Sequence, residues 1–245
     1  MKAIGLIPVR LESKRLPGKA LLDLDGLPMI IHTAKRALLA KELGQVFVCT
    51  DNDEIINVCK KFNVKFIKTK SNFKNGTERI ASIVKRFHNN IIIDIQGDEP
   101  LFDPKYIDKL VNIHKKHKEN PEIIIPTIET TFESSHSIIR VLSNKKGRIM
   151  YLSRAKIPFQ FSSNVYSISK HVSIISFTSK ALVKYSKLKM SYHESVEGIE
   201  LLRAIENDMK VFSTKLNGES FSVDVNDDYL RAKIAMKSDP IRKLY

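Results

Sequence analysis

Short apolar runs alternate with helix-patterned segments through the first half of this chain, and this alternation constrains the fold most tightly. Residues 3–8 carry no charge and read as a buried strand. Residues 10–19 are polar and close on Pro17-Gly18-Lys19, a loop. Pro28 opens a helix with Ile30, Ile31, Ala34 and Leu38 on one face. Residues 46–49 give a second strand, 51–62 a helix and 65–68 a short strand. After Gly76-Thr77, the apolar positions Ile80, Ile83, Val84 and Phe87 have the spacing of one helical stripe. Residues 91–95 form a strand buried on both faces. Asp103 caps a helix with Pro104 in its first turn, and residues 123–126 are again a strand. Such βαβ alternation predicts an α/β fold, a doubly wound and mostly parallel sheet.

The pattern changes near residue 127. Residues 138–142, 148–153 and 172–177 read as strands without intervening helices. Helices follow at 179–187 and 194–208, then short strands at 211–213 and 221–223. Asn226-Asp227-Asp228 starts a final helix. With no linker, repeat or low-complexity segment, the expectation is a single domain over 1–245 with an antiparallel elaboration.

Composition closes off several classes of function. In 245 residues, 42% hydrophobic content and 12 Phe exclude wholesale disorder. No apolar run approaches the roughly 20 residues of a membrane helix. The opening apolar run ends at Arg10, too soon for a secretory signal, so a cytoplasmic chain is expected. Two cysteines, Cys49 and Cys59, make neither a disulfide framework nor a zinc site. Asn75-Gly76-Thr77 fits a glycosylation sequon, read as chance without a secretory route. Lys and Arg number 41 against 27 Asp and Glu, a formal charge of +14. These cations are spread along the chain without an aromatic-basic stacking motif or a basic tail, so nucleic-acid binding is disfavoured. A solvated Lys-rich surface accounts for most of the charge, and a polyanionic substrate such as a nucleoside triphosphate for the rest.

Ligands of doubly wound sheets bind at the carboxyl ends of strands, which points to the loops after Pro8 and Ile95. The first carries Arg10, Arg15 and Lys19, with Gly18 for close backbone approach. Arg binds phosphate bidentately and Lys as a point charge, although a solvated basic loop would carry the same residues. Neither G-x-x-x-x-G-K-[ST] nor G-x-G-x-x-G occurs, which disfavours P-loop ATPases and dinucleotide-binding dehydrogenases. The second loop is Gln96-Gly97-Asp98-Glu99-Pro100. Asp98 is placed to hold Mg²⁺ against phosphate, with Gly97 leaving room for a ligand; an Asx turn is the alternative. Ser222-Val223-Asp224 offers a second carboxylate. His114 and His117 sit among lysines and read as an exposed helix face, and His171 and His193 have no assignment from spacing.

Ile7-Pro8-Val9-Arg10-Leu11-Glu12-Ser13-Lys14-Arg15-Leu16-Pro17-Gly18-Lys19 resembles the signature loop of the 3-deoxy-manno-octulosonate (Kdo) cytidylyltransferases. The resemblance continues in order through Gly26-Leu27-Pro28-Met29-Ile30, Thr50-Asp51, Gly76-Thr77-Glu78-Arg79 and Gln96-Gly97-Asp98-Glu99-Pro100. It extends through Tyr151-Leu152-Ser153-Arg154-Ala155-Lys156-Ile157-Pro158, Lys170-His171, Glu200-Leu201-Leu202-Arg203 and Val223-Asp224. Each motif is weak alone; their order and spacing are specific.

The resemblance implies a glycosyltransferase-A-like nucleotidyltransferase with CTP as donor, Mg²⁺ as cofactor and a homodimeric assembly. It would make a CMP-activated sugar acid for the lipopolysaccharide of a Gram-negative bacterium, with neither nucleic acid nor membrane as partner. On the family pattern, Arg10, Arg15, Lys19 and Asp98 are catalytic. Pro8, Thr77, Arg79 and Gln96 join them around the nucleotide, and Asp98 and Asp224 hold the metal. Arg154, His171, Glu197 and Glu200 face the sugar acid. Residues 1–126 would form mainly the CTP half, and residues 127–245 the sugar-acid and dimer half.

The second half departs from the pattern. The family's His-Leu-Gly-Ile-Tyr is His171-Val172-Ser173-Ile174-Ile175 here, and its Glu-Gln-Leu-Arg is Glu200-Leu201-Leu202-Arg203. Its Val-Asp-Thr-Pro-Glu-Asp is Val223-Asp224-Val225-Asn226-Asp227-Asp228. Leu201 would replace a polar sugar contact by an apolar one, so the acceptor is Kdo or a relative such as its 8-amino form or another 2-keto-3-deoxy acid. A catalytically idle regulatory homologue is disfavoured, because Lys19, Asp98 and Asp224 are all present.

Overall fold

The computed structural model describes residues 2–13, 15–88, 90–131, 138–163, 167–219 and 222–245. Its centre is β1 (Ala3–Pro8), in which all six residues are buried. An uncharged strand suits that place, because it has a neighbour on each edge and a covered surface on each face. It runs parallel to β4 (Leu43–Thr50) on one side and β6 (Ile91–Ile95) on the other, and β5 (Phe66–Lys68) extends the β4 edge. This half is the parallel arrangement expected from the alternation.

Beyond β6 the sheet turns antiparallel. The order continues through β11 (Ile174–Thr178), β7 (Ile123–Thr131), β10 (Ser167–His171), β8 (Arg140–Ser143) and β9 (Ile149–Ser153). A further strand, β12 (Val211–Lys215), pairs parallel with β7. The sheet is thus continuous through residues 126 and 127, where the two halves were expected to divide.

Side chains of successive strand residues point to opposite faces, and the core divides accordingly. Ile7, Val48, Ile93 and Ile124 meet α1 (Met29–Leu38), α2 (Asp53–Lys61) and α4 (Pro104–Lys116) on one face. Leu6, Cys49, Ile92 and Ile123 meet α3 (Gly76–Ala81), α5 (Ser179–Tyr185) and α7 (Leu201–Glu206) on the other. A third, smaller cluster joins Leu24, Met29 and Val223 to Ala232 and Met236 of α8 (Asn226–Ser238), with Leu16 and Leu101 packed against it. Both cysteines are buried and free. Among the described residues, no helix is long and apolar enough to cross a membrane.

Several expectations change. The stripe Ile80, Ile83, Val84 and Phe87 faces the core, but its backbone is not one helix. It breaks after Ala81, where the Ser82 hydroxyl donates to the Arg79 carbonyl, and resumes as a 3-10 turn at Val84–Arg86. The helix expected over 194–208 is two, because α6 (Tyr192–Glu197) ends on Gly198 in the left-handed conformation, φ 62°. A hairpin of β2 (Asp23–Leu24) and β3 (Leu27–Pro28), turning on Asp25-Gly26, precedes α1, and Pro28 caps that helix from outside. The strand expected at 221–223 does not form at Ser222 and Val223, and Phe221 lies outside the described residues. His114 is buried, not on an exposed face.

Candidate active site

A cavity of about 600 Å³ opens at the carboxyl ends of β1 and β6. Its walls include Pro8, Arg10, Arg15, Lys19, Arg79, Gln96, Asp98, Glu200 and Asp224. Glu12, Ser13, Phe73, Lys74, Asn75 and Gly97 complete much of the remainder. Strand ends fix these positions: Pro8 and Ile95 are the last residues of adjacent strands, so the loops after them emerge side by side.

Lys19 joins the two acidic loops. Its Nζ lies 2.5 Å from Asp98 Oδ2, 3.2 Å from Asp224 Oδ1 and 3.1 Å from the Val223 carbonyl oxygen. Burial would by itself lower the ammonium pKa, but Asp98 and Asp224 outweigh burial, and the net pKa is raised. Arg15 pairs with the same Asp224 oxygen at 2.9 Å, from an exposed position. The backbone ties the two acidic loops directly, since the Val223 N–H donates to the Asp98 carbonyl at 2.9 Å. Glu99 turns the other way and accepts from the Ser173 N–H at 3.0 Å, which leaves Asp98 as the carboxylate of its loop that faces the cavity.

Two glycines near the cavity have local steric reasons of their own. Gly18 is required by its left-handed φ of 66°; nothing lies within 4 Å of where its Cβ would be. A Cβ on Gly97 would meet Ile30 at 3.2 Å, so the room it leaves is taken by the α1 side chain.

Arg79 is nearly buried, with Nη1 2.7 Å from Asp51 and 2.6 Å from the Thr69 hydroxyl. Its guanidinium also sits 5.7 Å from the Phe73 ring centre, so Arg79 braces the cavity wall. Thr77 lies beneath the floor, donating to buried Asp94 at 3.3 Å, while Gln96 donates to the other Asp94 oxygen at 3.1 Å. Asp94 is held well above the usual carboxylate range, first by burial and then by nearby Glu200. Burial raises Glu200 too, against hydrogen bonds from Thr77. Asp94 escaped the sequence reading, although a lone carboxylate inside Ile91-Ile92-Ile93-Asp94-Ile95 is itself a signal.

The sugar-side set is only partly assembled. Glu200 lines the cavity; Arg154, His171 and Glu197 do not. Glu197 instead accepts from the Ser153 hydroxyl at 2.6 Å and the Arg154 N–H at 2.9 Å. His171 lies on β10, its Nδ1 buried without a hydrogen-bond partner, and burial lowers its pKa to about 4. Leu201, expected to face a sugar hydroxyl, is packed in the core behind Glu200.

Asp98, Asp224 and the Val223 carbonyl place three oxygen donors around one cationic nitrogen. That donor set fits Mg²⁺, which takes one or two carboxylates and fills its shell with substrate phosphates and water. Among the described residues, no group of three His, Cys, Asp or Glu forms an all-protein cage for a metal.

The profile of the cytidylyltransferase family matches residues 4–211. The 3-deoxy-manno-octulosonate cytidylyltransferase of Chloroherpeton thalassium is 32% identical, across 95% of this chain and 97% of that protein. The 8-amino-3,8-dideoxy-manno-octulosonate cytidylyltransferase of Shewanella pealeana is 35% identical, across 86% of this chain and 89% of that one. A solved structure of CMP:2-keto-3-deoxy-manno-octonic acid synthetase complexed with CTP superposes with a TM-score of 0.92 at 28% identity, covering 97% of this chain and 99% of its own.

Proposed function

Because this chain belongs to the cytidylyltransferase family, we propose that it transfers CMP from CTP to the anomeric hydroxyl of Kdo, releasing pyrophosphate. The observation that carries this reading is the convergence of Lys19, which opens the 3-10 turn Lys19–Leu21, with Asp98 and Asp224 from two separate loops, beside Arg10 and Arg15 at one cavity mouth. The product is the activated sugar acid used in lipopolysaccharide synthesis.

In the reaction, the anomeric oxygen bonds to the α-phosphorus as the bridging oxygen departs with pyrophosphate, and the hydroxyl proton passes to solvent water. Negative charge grows on the leaving group, so fixed cations lower the barrier more than they strengthen substrate binding. Arg10, Arg15 and Lys19 supply those charges. Asp98 and Asp224 would hold Mg²⁺, which neutralises phosphate oxygens when bound. Pro8, Thr77, Arg79 and Gln96 shape the nucleotide side, and Glu200 marks the side where the sugar acid enters. Arg154, His171 and Glu197 belong to the acceptor region only if that region closes toward the cavity on binding.

The reading includes a cytoplasmic homodimer that needs neither nucleic acid nor membrane, with residues 1–126 mainly for CTP and 127–245 mainly for the sugar acid and dimer contacts. Exposed Phe159, Phe161, Tyr192 and Val196 support the dimer. The 8-amino acceptor is a second reading, favoured by the Shewanella relative. Pyrophosphate release, measured with four nucleoside triphosphates against a panel of 2-keto-3-deoxy acids, tests both. Turnover with CTP and Kdo supports the first, turnover confined to CTP and the 8-amino acid supports the second, and turnover with no acid of the panel defeats the function.

A further inference from the structure

Asp228, in the first turn of α8, reaches back to the peptide groups that precede its helix. Its Oδ2 accepts from the Asp224 N–H at 3.0 Å and from the Val225 N–H at 3.1 Å. Two bonds to adjacent peptide groups fix the plane of the backbone, and so the direction in which the Asp224 side chain leaves it. The other flank is held as well. Val223 is fully buried in the third core cluster, its N–H bonded to the Asp98 carbonyl and its carbonyl to Lys19. Asp228 itself is not among the residues lining the cavity.

An aspartate in a first helical turn ordinarily serves as a cap, useful wherever the helix lies. Here one of the capped groups belongs to the residue that carries a cavity carboxylate. We propose that Asp228 is a positioning residue, which holds the Asp224 carboxylate opposite that of Asp98 so that one divalent cation meets both. The inference rests on reading Asp98 and Asp224 as the metal-holding pair. Helix α8 is the mount: Ala232 and Met236 anchor it in the core, and the Tyr229 hydroxyl donates to the Asp23 carbonyl at 2.8 Å.

The test measures protein-bound Mn²⁺ by water proton relaxation enhancement at fixed CTP without sugar acid, beside the Mg²⁺ concentration for half-maximal turnover and the melting temperature. Asp228→Ala should weaken Mn²⁺ about ten- to hundredfold, the usual effect of losing a group that orients a metal ligand. Asp228→Asn should stay within about threefold of wild type, because an amide oxygen accepts the same two bonds. Tyr229→Phe should lower the melting temperature and leave Mn²⁺ affinity alone. Wild-type affinity in Asp228→Ala would overturn the proposal, as would equal losses in Asp228→Ala and Tyr229→Phe, which would trace the effect to helix docking. Asp224→Ala separates the two levels of inference. Loss of Mn²⁺ there, with none in Asp228→Ala, sinks the positioning role alone; no loss in either sinks the metal reading itself.

Discussion

Lys19 is bonded to both carboxylates that the reading assigns to the metal, and its contacts tell which substitutions report on chemistry and which on stability. The side chain is partly exposed, and Arg15 remains on Asp224 when it is removed. Lys19→Ala should therefore leave the chain folded, at a cost of about 1–3 kcal/mol for the Asp98 carboxylate that loses its partner. On the proposed role its loss removes a cation from the transferring phosphoryl group, and turnover should fall about 10²–10³-fold. Melting curves and pyrophosphate release on the same preparation check this; a large fall in melting temperature with an unchanged rate per folded molecule would make Lys19 a structural residue. Asp98→Asn keeps the shape and deletes one charge. Turnover should fall to background at every Mg²⁺ concentration while the fold persists, and a normal rate at saturating Mg²⁺ would take Asp98 out of the site. The legible part of the candidate site was the part on loops beside strand ends, where Arg10, Lys19 and Asp98 line the cavity and where a sheet of this kind opens its ligand crevice. Less legible were Asp94 and Leu201, whose burial depends on which face of the sheet or helix meets the core.

At the scale of elements, α4 is pinned to the sheet by a polar contact inside an otherwise apolar layer. His114 Nδ1 meets the Ser176 hydroxyl of β11 at 2.6 Å, and Nε2 meets the Pro121 carbonyl at 3.1 Å. The carbonyl can only accept, so Nε2 carries the proton and Nδ1 accepts from Ser176. Protonating the ring would place a second donor against that hydroxyl in a buried site, and burial above all lowers the His114 pKa to about 4. The unfolded chain, with a histidine pKa near 6.5, binds the proton first as pH falls. The stabilisation is therefore present above about pH 6.5 and lost progressively down to about pH 4. This single residue should account for roughly 2 kcal/mol of lost stability between pH 7 and pH 5. His171, also lowered to about 4, loses stability over the same window, so denaturant titrations at the two pH values should show a loss in His114→Asn that is smaller than the wild-type loss by about 2 kcal/mol; equal losses would show that His114 does not titrate across the window. The elements themselves were readable wherever periodicity ran long, as in α4, or where apolar residues were unbroken, as in β1. They were misread where one residue redirects the chain: Ser82 ending α3, Gly198 dividing α6 from α7, and Asp25-Gly26 turning a hairpin too short to show a pattern.

At the scale of the whole molecule, the proposed homodimer needs an apolar contact surface, and one candidate begins beyond β9. The segment after β9 carries Phe159 and Phe161, which are 83% and 89% exposed. It is tied to α6, since Ser153 and Arg154 both bond Glu197, and the Tyr151 ring lies 5.6 Å from that of His193. Tyr192 and Val196 of α6 are exposed as well. Isolated exposed apolar residues are ordinary, but Phe159 and Phe161 lie two apart on one segment, and the start of that segment is bonded to the helix that exposes Tyr192 and Val196, which makes the pair of segments a candidate contact surface. A two-fold contact would use the patch from both protomers, and burying each Phe contributes about 1.5–3 kcal/mol. Phe159→Asp combined with Phe161→Asp adds two charges to that contact and removes no core side chain, so each protomer should remain folded. Light scattering should give a mass near 28.0 kDa for the double variant and twice that for wild type. The Lys19, Asp98 and Asp224 cluster comes from three separate segments, bonded within one chain. If that cluster is sufficient for nucleotide binding, the monomeric variant should still bind CTP, and any loss of turnover should appear as a raised KM for the sugar acid. A wild-type mass for the double variant would move the dimer contact elsewhere on the surface, and loss of CTP binding would make the nucleotide site dependent on the partner.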